Sequence, residues 1–231
     1  MPADLLAPPE TLTHGQPISR ADFIRITEAH PSRYRHVERL DGRAYENADS
    51  GRRTRHSLPR SQIVGLLGYY YSRTPGTEPG DNGTAQIVDD HDPQPDAYLL
   101  IRPECGGQTR FTDDDYIQNA PELIVEIAGS SLGKDLGRLK EIYEADGCRE
   151  YLVWATARDR VFAFRNGPHG FEPSDPADGV FRSGAFPGLG LDLAALVRGD
   201  IVAAFETLNA GLATPEHAAF VAGPESSHFT D

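Results

Sequence analysis

Glu126 interrupts an apolar run, with Leu123-Ile124-Val125 before it and Ile127 after it. An ionised carboxylate there is costly unless it is paired or holds a metal. The other reading is that it marks the exposed end of a strand. Asp96 follows Pro95 at the head of a second apolar run, in a stretch crowded with acids. Neighbouring acids repel one another unless a cation sits between them; otherwise Asp96 caps a turn. Together the two carboxylates suit a hard divalent cation such as Mg²⁺, which takes one or two carboxylates plus water and phosphate oxygens. Lys140 falls on the flank of a helical stripe made by Leu136, Leu139, Ile142 and Tyr143. Its long stem can lie on apolar surface and deliver an ammonium to a phosphoryl centre, or simply reach solvent. Glu38 is either a further metal or water ligand or a solvated strand residue. Arg52, Arg53, Arg55 and His56 form the best candidate stretch for phosphate contacts, with a plain solvated loop as the alternative.

These residues need elements to position them. Ser19 is placed to cap a short helix over 21–29. Residues 33–39 and 43–45 predict two strands around Leu40-Asp41-Gly42, because Asp-Gly favours tight hairpins. Asp49-Ser50-Gly51 is expected to be a loop. Ser57 and Pro59 are expected to open a helix whose buried face carries Ile63, Leu66, Leu67 and Tyr70, and which stops near Thr74-Pro75-Gly76. Strands are expected over 85–88 and 96–101, with a polar insertion over 104–119. The continuous apolar runs 122–127 and 150–155 predict strands covered on both faces. Between them a helix is expected from Asp135 to Asp146, closed by Gly147. Strands over 160–165 and 179–182 and short helices over 193–197 and 201–208 complete the pattern. Strand, helix, strand with flanking hairpins predicts an α/β fold with helices on both faces of the sheet. Residues 1–17 are expected to be a flexible arm, 18–222 the folded domain, and 223–231 a frayed tail.

Composition narrows the class. The chain has 231 residues, 39% hydrophobic and 25% charged, which suits one domain. Its two cysteines build neither a disulfide framework nor a zinc cluster. No apolar run approaches the roughly 20 residues of a membrane span, and the first residues lack the charged-then-apolar pattern, so no signal peptide is expected. A cytoplasmic protein without membrane contact is expected. Twenty-two basic residues against 35 acids give −13, which argues against bulk electrostatic binding to nucleic acid but not against a transient visit. The balance is uneven: eight arginines face four acids over 33–60, whereas eleven acids face two arginines over 78–122. Only two lysines occur, Lys134 and Lys140. There is no phosphate-binding loop, dinucleotide fingerprint, serine elbow or His-Glu-x-x-His.

The order Pro95-Asp96, then Ala120-Pro121-Glu122 through Glu126-Ile127-Ala128-Gly129-Ser130-Ser131, then Asp135, Lys140, Tyr143, Gly147 and Glu150-Tyr151-Leu152-Val153-Trp154 resembles the Uma-two family. Glu38 to Gly42, Tyr71 to Gly76, Pro103 to Gln108, Phe186 to Leu189 and Thr214 to Ala218 extend the resemblance across 18–221. It implies a restriction-endonuclease-like fold of the PD-(D/E)xK superfamily, with a central mixed sheet flanked by helices, an N-terminal helix and a β-hairpin. It implies metal-dependent hydrolysis of DNA phosphodiester bonds in a prokaryotic protein. Asp96, Glu126 and the main-chain carbonyl of Ile127 would bind Mg²⁺, with Mn²⁺ as substitute. Glu38 and Lys140 would complete the catalytic set, and DNA would be a transient partner. A homodimer follows by analogy only.

The lysine departs from the pattern. The superfamily position two residues after the glutamate is Ala128 here. The family position four residues after Asp135 is Leu139, and the lysine stands one further on, at Lys140. One residue rotates a helical side chain by ~100°. Either Lys140 reaches the site by its stem, or the helix adjusts, or Arg138 or Lys134 substitutes, or activity is reduced. A catalytically weakened fold serving as a nucleic-acid or protein binding module is therefore the rival to a nuclease. A phosphodiesterase acting on small nucleotides is a third reading.

Overall fold

The computed structural model describes residues 9–46, 52–87 and 90–223. The expected loop at 49–51, the strand end at Val88 and the tail beyond 223 fall wholly or partly outside them. So does the arm over 1–8. Residues 9–17 lie against the first hairpin, with Leu12 buried and the Gly15 amide donating to the Ala44 carbonyl.

Helix α1 (Arg20–Ala29) begins at the expected cap, where the Ser19 hydroxyl accepts from the Asp22 amide. Strands β1 (Val37–Leu40) and β2 (Arg43–Glu46) pair in the expected hairpin. Asp41 and Gly42 both have positive φ, as a two-residue mirror-image turn requires. A π-helical turn over Arg53–Ser57 leads directly into α2 (Leu58–Tyr71). Ser57 is consequently already helical and makes no side-chain cap.

The central sheet has six strands in the order β11-β10-β9-β8-β5-β3. These are β3 (Thr77–Gly80), β5 (Ala97–Ile101), β8 (Leu123–Ala128), β9 (Glu150–Ala155), β10 (Arg160–Gly167) and β11 (Gly170–Pro173). Only β8 and β9 run parallel, joined by a helical crossover; the other neighbours are antiparallel. The expected mixed α/β architecture is therefore observed. The polar insertion folds as β6 (Arg110–Phe111) and β7 (Ile117–Gln118), added to β4 (Ala85–Gln86) as a small separate sheet. A further pair, β12 (Val180–Arg182) and β13 (Gly190–Asp192), precedes α5 (Leu193–Arg198), α6 (Ile201–Leu212) and α7 (Pro215–Val221).

Alternation along β8 splits the core in two. Leu123, Val125 and Ile127 face α2, α5 and α6, while Ile124 and Ala128 face the crossover. Glu126 belongs by register to the crossover face. The crossover is not the single helix expected. It consists of α3 (Leu132–Asp135) and α4 (Arg138–Ala145), broken at Gly137, whose φ of −107° and ψ of −106° are not helical. A Cβ at Gly137 would stand 2.7 Å from the Gly133 carbonyl oxygen, so the break is tailored to glycine.

Candidate active site

Asp96 immediately precedes β5, and Glu126 stands near the end of antiparallel β8, so the ladder sets the two side by side. The Ile127 amide donates to Asp96 Oδ2 at 2.8 Å, and the Asp96 amide lies 3.4 Å from Glu126 Oε2. Both side chains are buried, which removes the reading of Glu126 as an exposed strand end; Asp96 lies in the bend before β5 and its carboxylate accepts from β8. The Tyr143 hydroxyl of α4 donates to the other Glu126 oxygen at 3.0 Å. His56, carried by the π-helical turn, is buried and places Nε2 2.9 Å from Asp96 Oδ1. The neighbouring Arg52, Arg53 and Arg55 are exposed. The expected phosphate-contact stretch is thus divided: three arginines line the outside, while His56 is inside, against Asp96.

Glu38 reaches the same place from β1. It is only 2% exposed, and its Oε2 lies 2.7 Å from Lys134 Nζ. The Gln94 amide donates to Glu38 Oε1 at 3.2 Å. Asp135, also buried, accepts from the Ser131 hydroxyl at 2.5 Å.

Lys140 is not brought to these carboxylates, which corrects the sequence expectation. Its Nζ lies 3.9 Å from Glu144 Oε2 and 4.9 Å from the centre of the Phe164 ring, toward the far edge of the sheet. Leu139, at the family's lysine position, is fully buried in the core. The break at Gly137 is the physical cause. It separates the phase of α4 from that of α3, and Lys134 on α3 is the lysine that meets Glu38. The sequence offered one signal for this: Lys134 is one of only two lysines. Nothing in the spacing pointed to His56 as a partner of Asp96.

Electrostatics make this a demanding place. Burial first, then the charges of Asp96, Asp135 and Glu38, push the Glu126 carboxyl well above its usual range, with Lys134 partly opposing. Burial alone would lower Lys134, but Glu38 and Glu126 hold its ammonium above the ordinary lysine value. Burial and the neighbouring Glu126 raise the Tyr143 phenol, so it remains a donor. Four buried carboxyl groups therefore crowd together, with one ammonium, Lys134, among them. A hard divalent cation relieves that imbalance, and Glu38, Asp96 and Glu126 supply the oxygen donors such an ion takes. Among the described residues no three His, Cys, Asp or Glu side chains form a ready-made metal cage. Mg²⁺ does not need one, since water and phosphate oxygens usually complete its shell.

A mixed sheet with one parallel crossover and buried carboxylates between β5 and β8 defines a restriction-endonuclease-like fold. The chain belongs to the Uma2 (Uma-two) family, described as "Putative restriction endonuclease", whose model matches residues 21–194. A solved structure described as a putative nuclease belonging to DUF820 from Anabaena variabilis is similar in fold, with a TM-score of 0.61 and 17% identity. The match covers 78% of this chain and 99% of that one. No curated protein matches the chain. Family and fold together support a nuclease. Among the described residues no helix is long and apolar enough to cross a membrane.

Proposed function

We propose that the chain is a metal-dependent endonuclease that hydrolyses DNA phosphodiester bonds. The observation that carries the reading is the convergence of buried Glu38, Asp96 and Glu126, whose charges act on one another, with Lys134 ion-paired to Glu38. Asp96, Glu126 and the carbonyl of Ile127 are the proposed holders of Mg²⁺ or Mn²⁺. Bound there, the ion would lower the pKa of water and neutralise charge at the scissile phosphate. The chain's own groups do the rest. His56 and the Ile127 amide fix the Asp96 carboxylate, and Tyr143 fixes Glu126. Glu38 keeps Lys134 charged and aimed, so that the ammonium meets the negative charge that develops on the phosphate. Arg52, Arg53 and Arg55 are the proposed contacts to flanking phosphates.

Plasmid nicking in Mg²⁺ or Mn²⁺ at low salt tests this, beside Asp96→Asn and Glu126→Gln. Cleavage by the parent that both substitutions abolish is the expected result. One observation favours the rival binding module: both Asp96 oxygens already have protein partners, Oδ2 accepting from the Ile127 amide and Oδ1 lying 2.9 Å from His56 Nε2. A silent parent that still binds a divalent ion by calorimetry would put that module first.

A further inference from the structure

Beside the carboxylates the surface sinks into a cavity of about 340 Å³. It is continuous with the candidate active site, because Glu38 and Lys134 line both. Leu40 gives it an apolar floor. Tyr45 gives it an aromatic wall, and His14 meets that ring edge-on at 5.3 Å. Tyr45 is the direct cross-strand partner of Glu38 in the β1–β2 hairpin. Partners in register project from the same face of a ladder, so the ring and the active-site carboxylate are presented together.

We propose that this cavity is a nucleoside subsite that takes one unstacked base next to the bond being cut. The preferred substrate is then a single-stranded or locally melted strand, not intact duplex; this rests on the nuclease reading above. Three observations support it. The cavity is at the small end of ligand pockets, roughly 300–1,000 Å³, which suits one nucleoside but not a base pair. An aromatic face next to a cationic phosphate site is how single strands are held, by stacking of bases that a duplex keeps hidden. The rim also carries Glu46 and Asp41, the latter already ion-paired with Arg138. Acids there disfavour the second phosphate backbone of a duplex, yet they can accept from exocyclic amino groups of a base.

Fluorescence anisotropy of a labelled mixed-sequence octanucleotide, alone or annealed to its complement, tests the subsite in Ca²⁺ to suppress turnover. The single strand is expected to bind more tightly than the duplex. Tyr45→Ala is expected to weaken single-strand binding roughly tenfold, and Tyr45→Phe to retain it. His14→Ala, at an exposed position that does not threaten folding, gives a smaller loss of the same sign. Duplex binding as tight as single-strand binding overturns the proposal, as does an affinity indifferent to both Tyr45→Ala and His14→Ala. Cleavage of the same oligonucleotides in Mg²⁺ is read separately. Tyr45-dependent binding without cleavage keeps the subsite and removes the nuclease reading. Equal cleavage of strand and duplex, unaffected by Tyr45→Ala, removes the subsite and keeps the nuclease.

Discussion

Lys134 and Lys140 are six positions apart, and the structure gives them opposite surroundings. Lys134 Nζ lies 2.7 Å from buried Glu38, whereas Lys140 covers aromatic rings beside Glu144. Lys134→Ala should therefore cut nicking by roughly 100-fold, the scale of losing one charge-stabilising donor, while Lys140→Ala stays near the parent. Equal losses, or a larger loss at Lys140, would sink the assignment. Glu126 was legible in the sequence because an acid in an apolar run is anomalous, and Asp96 because it heads such a run among other acids; Lys134 was not, because its partner Glu38 lies 96 residues away. Asp135 adds a pH dependence. Burial pushes its carboxyl from 3.8 up to about 7, although the Ser131 hydrogen bond and Lys134 oppose this. Between those values the native chain keeps a proton that the unfolded chain releases, so this group's contribution to stability falls as pH rises through the window. Urea unfolding in EDTA should show Asp135→Asn gaining more over the parent at pH 8 than at pH 5. A gain independent of pH would mean that the carboxyl is not held protonated.

At the scale of elements, the site depends on a hairpin held by a buried ion cluster. Arg39 of β1 is fully buried, 2.6 Å from Asp92 Oδ2, and also donates to the Ile18 carbonyl at 3.0 Å. Arg20 of α1 takes the other Asp92 oxygen at 2.7 Å. Burial still pushes the Asp92 carboxyl above its ordinary value despite both arginines, which marks how much the cluster relies on its pairing. Arg39→Met should cost about 3–5 kcal/mol, because buried Asp92 would keep only the partly exposed Arg20 as a partner. Arg39→Met with Asp92→Leu should regain part of that loss, because the stranded charge is gone. Denaturant midpoints of the three proteins check this; a double variant no better than the single would assign the loss to lost packing. Neither arginine announced this role: Arg39 read as one member of a basic segment, and Arg20 lay outside it with nothing to mark it. Strands β8 and β9 and helix α2 were plain in the sequence because their apolar patterns are long. The edge strand β3, Thr-Glu-Pro-Gly, has no strand propensity and exists only through its pairing with β5. The crossover was misread as one helix because a lone glycine is usually tolerated within a helical pattern. Here Gly137 takes a backbone conformation that ends one helix and starts another.

For the whole molecule, the charge of −13 sets how it can meet a polyanion. Among the described residues the cations near the site are few: Lys134, half-buried Arg60, whose Nε donates to the Asp96 carbonyl at 3.0 Å, and exposed Arg52, Arg53, Arg55 and Arg138. Arg138 is already paired with Asp41, and Lys134 with Glu38. The rest of the surface is predominantly acidic and repels phosphate beyond this patch. Contact should therefore be confined to a few nucleotides, with affinity coming from the metal-carboxylate centre and base stacking more than from an extended basic groove. If about three or four phosphates are neutralised on a single strand, log K against log salt should fall with a slope of about −2 to −3. Titrations of the octanucleotide at a series of KCl concentrations in Ca²⁺ give that slope. A slope steeper than about −5 would require a broad phosphate interface, and the local engagement of a few nucleotides would then be wrong. A shallow slope combined with loss of affinity in Tyr45→Ala would place the binding energy in the cavity wall. That is how a strongly acidic protein can act on nucleic acid without being held along it.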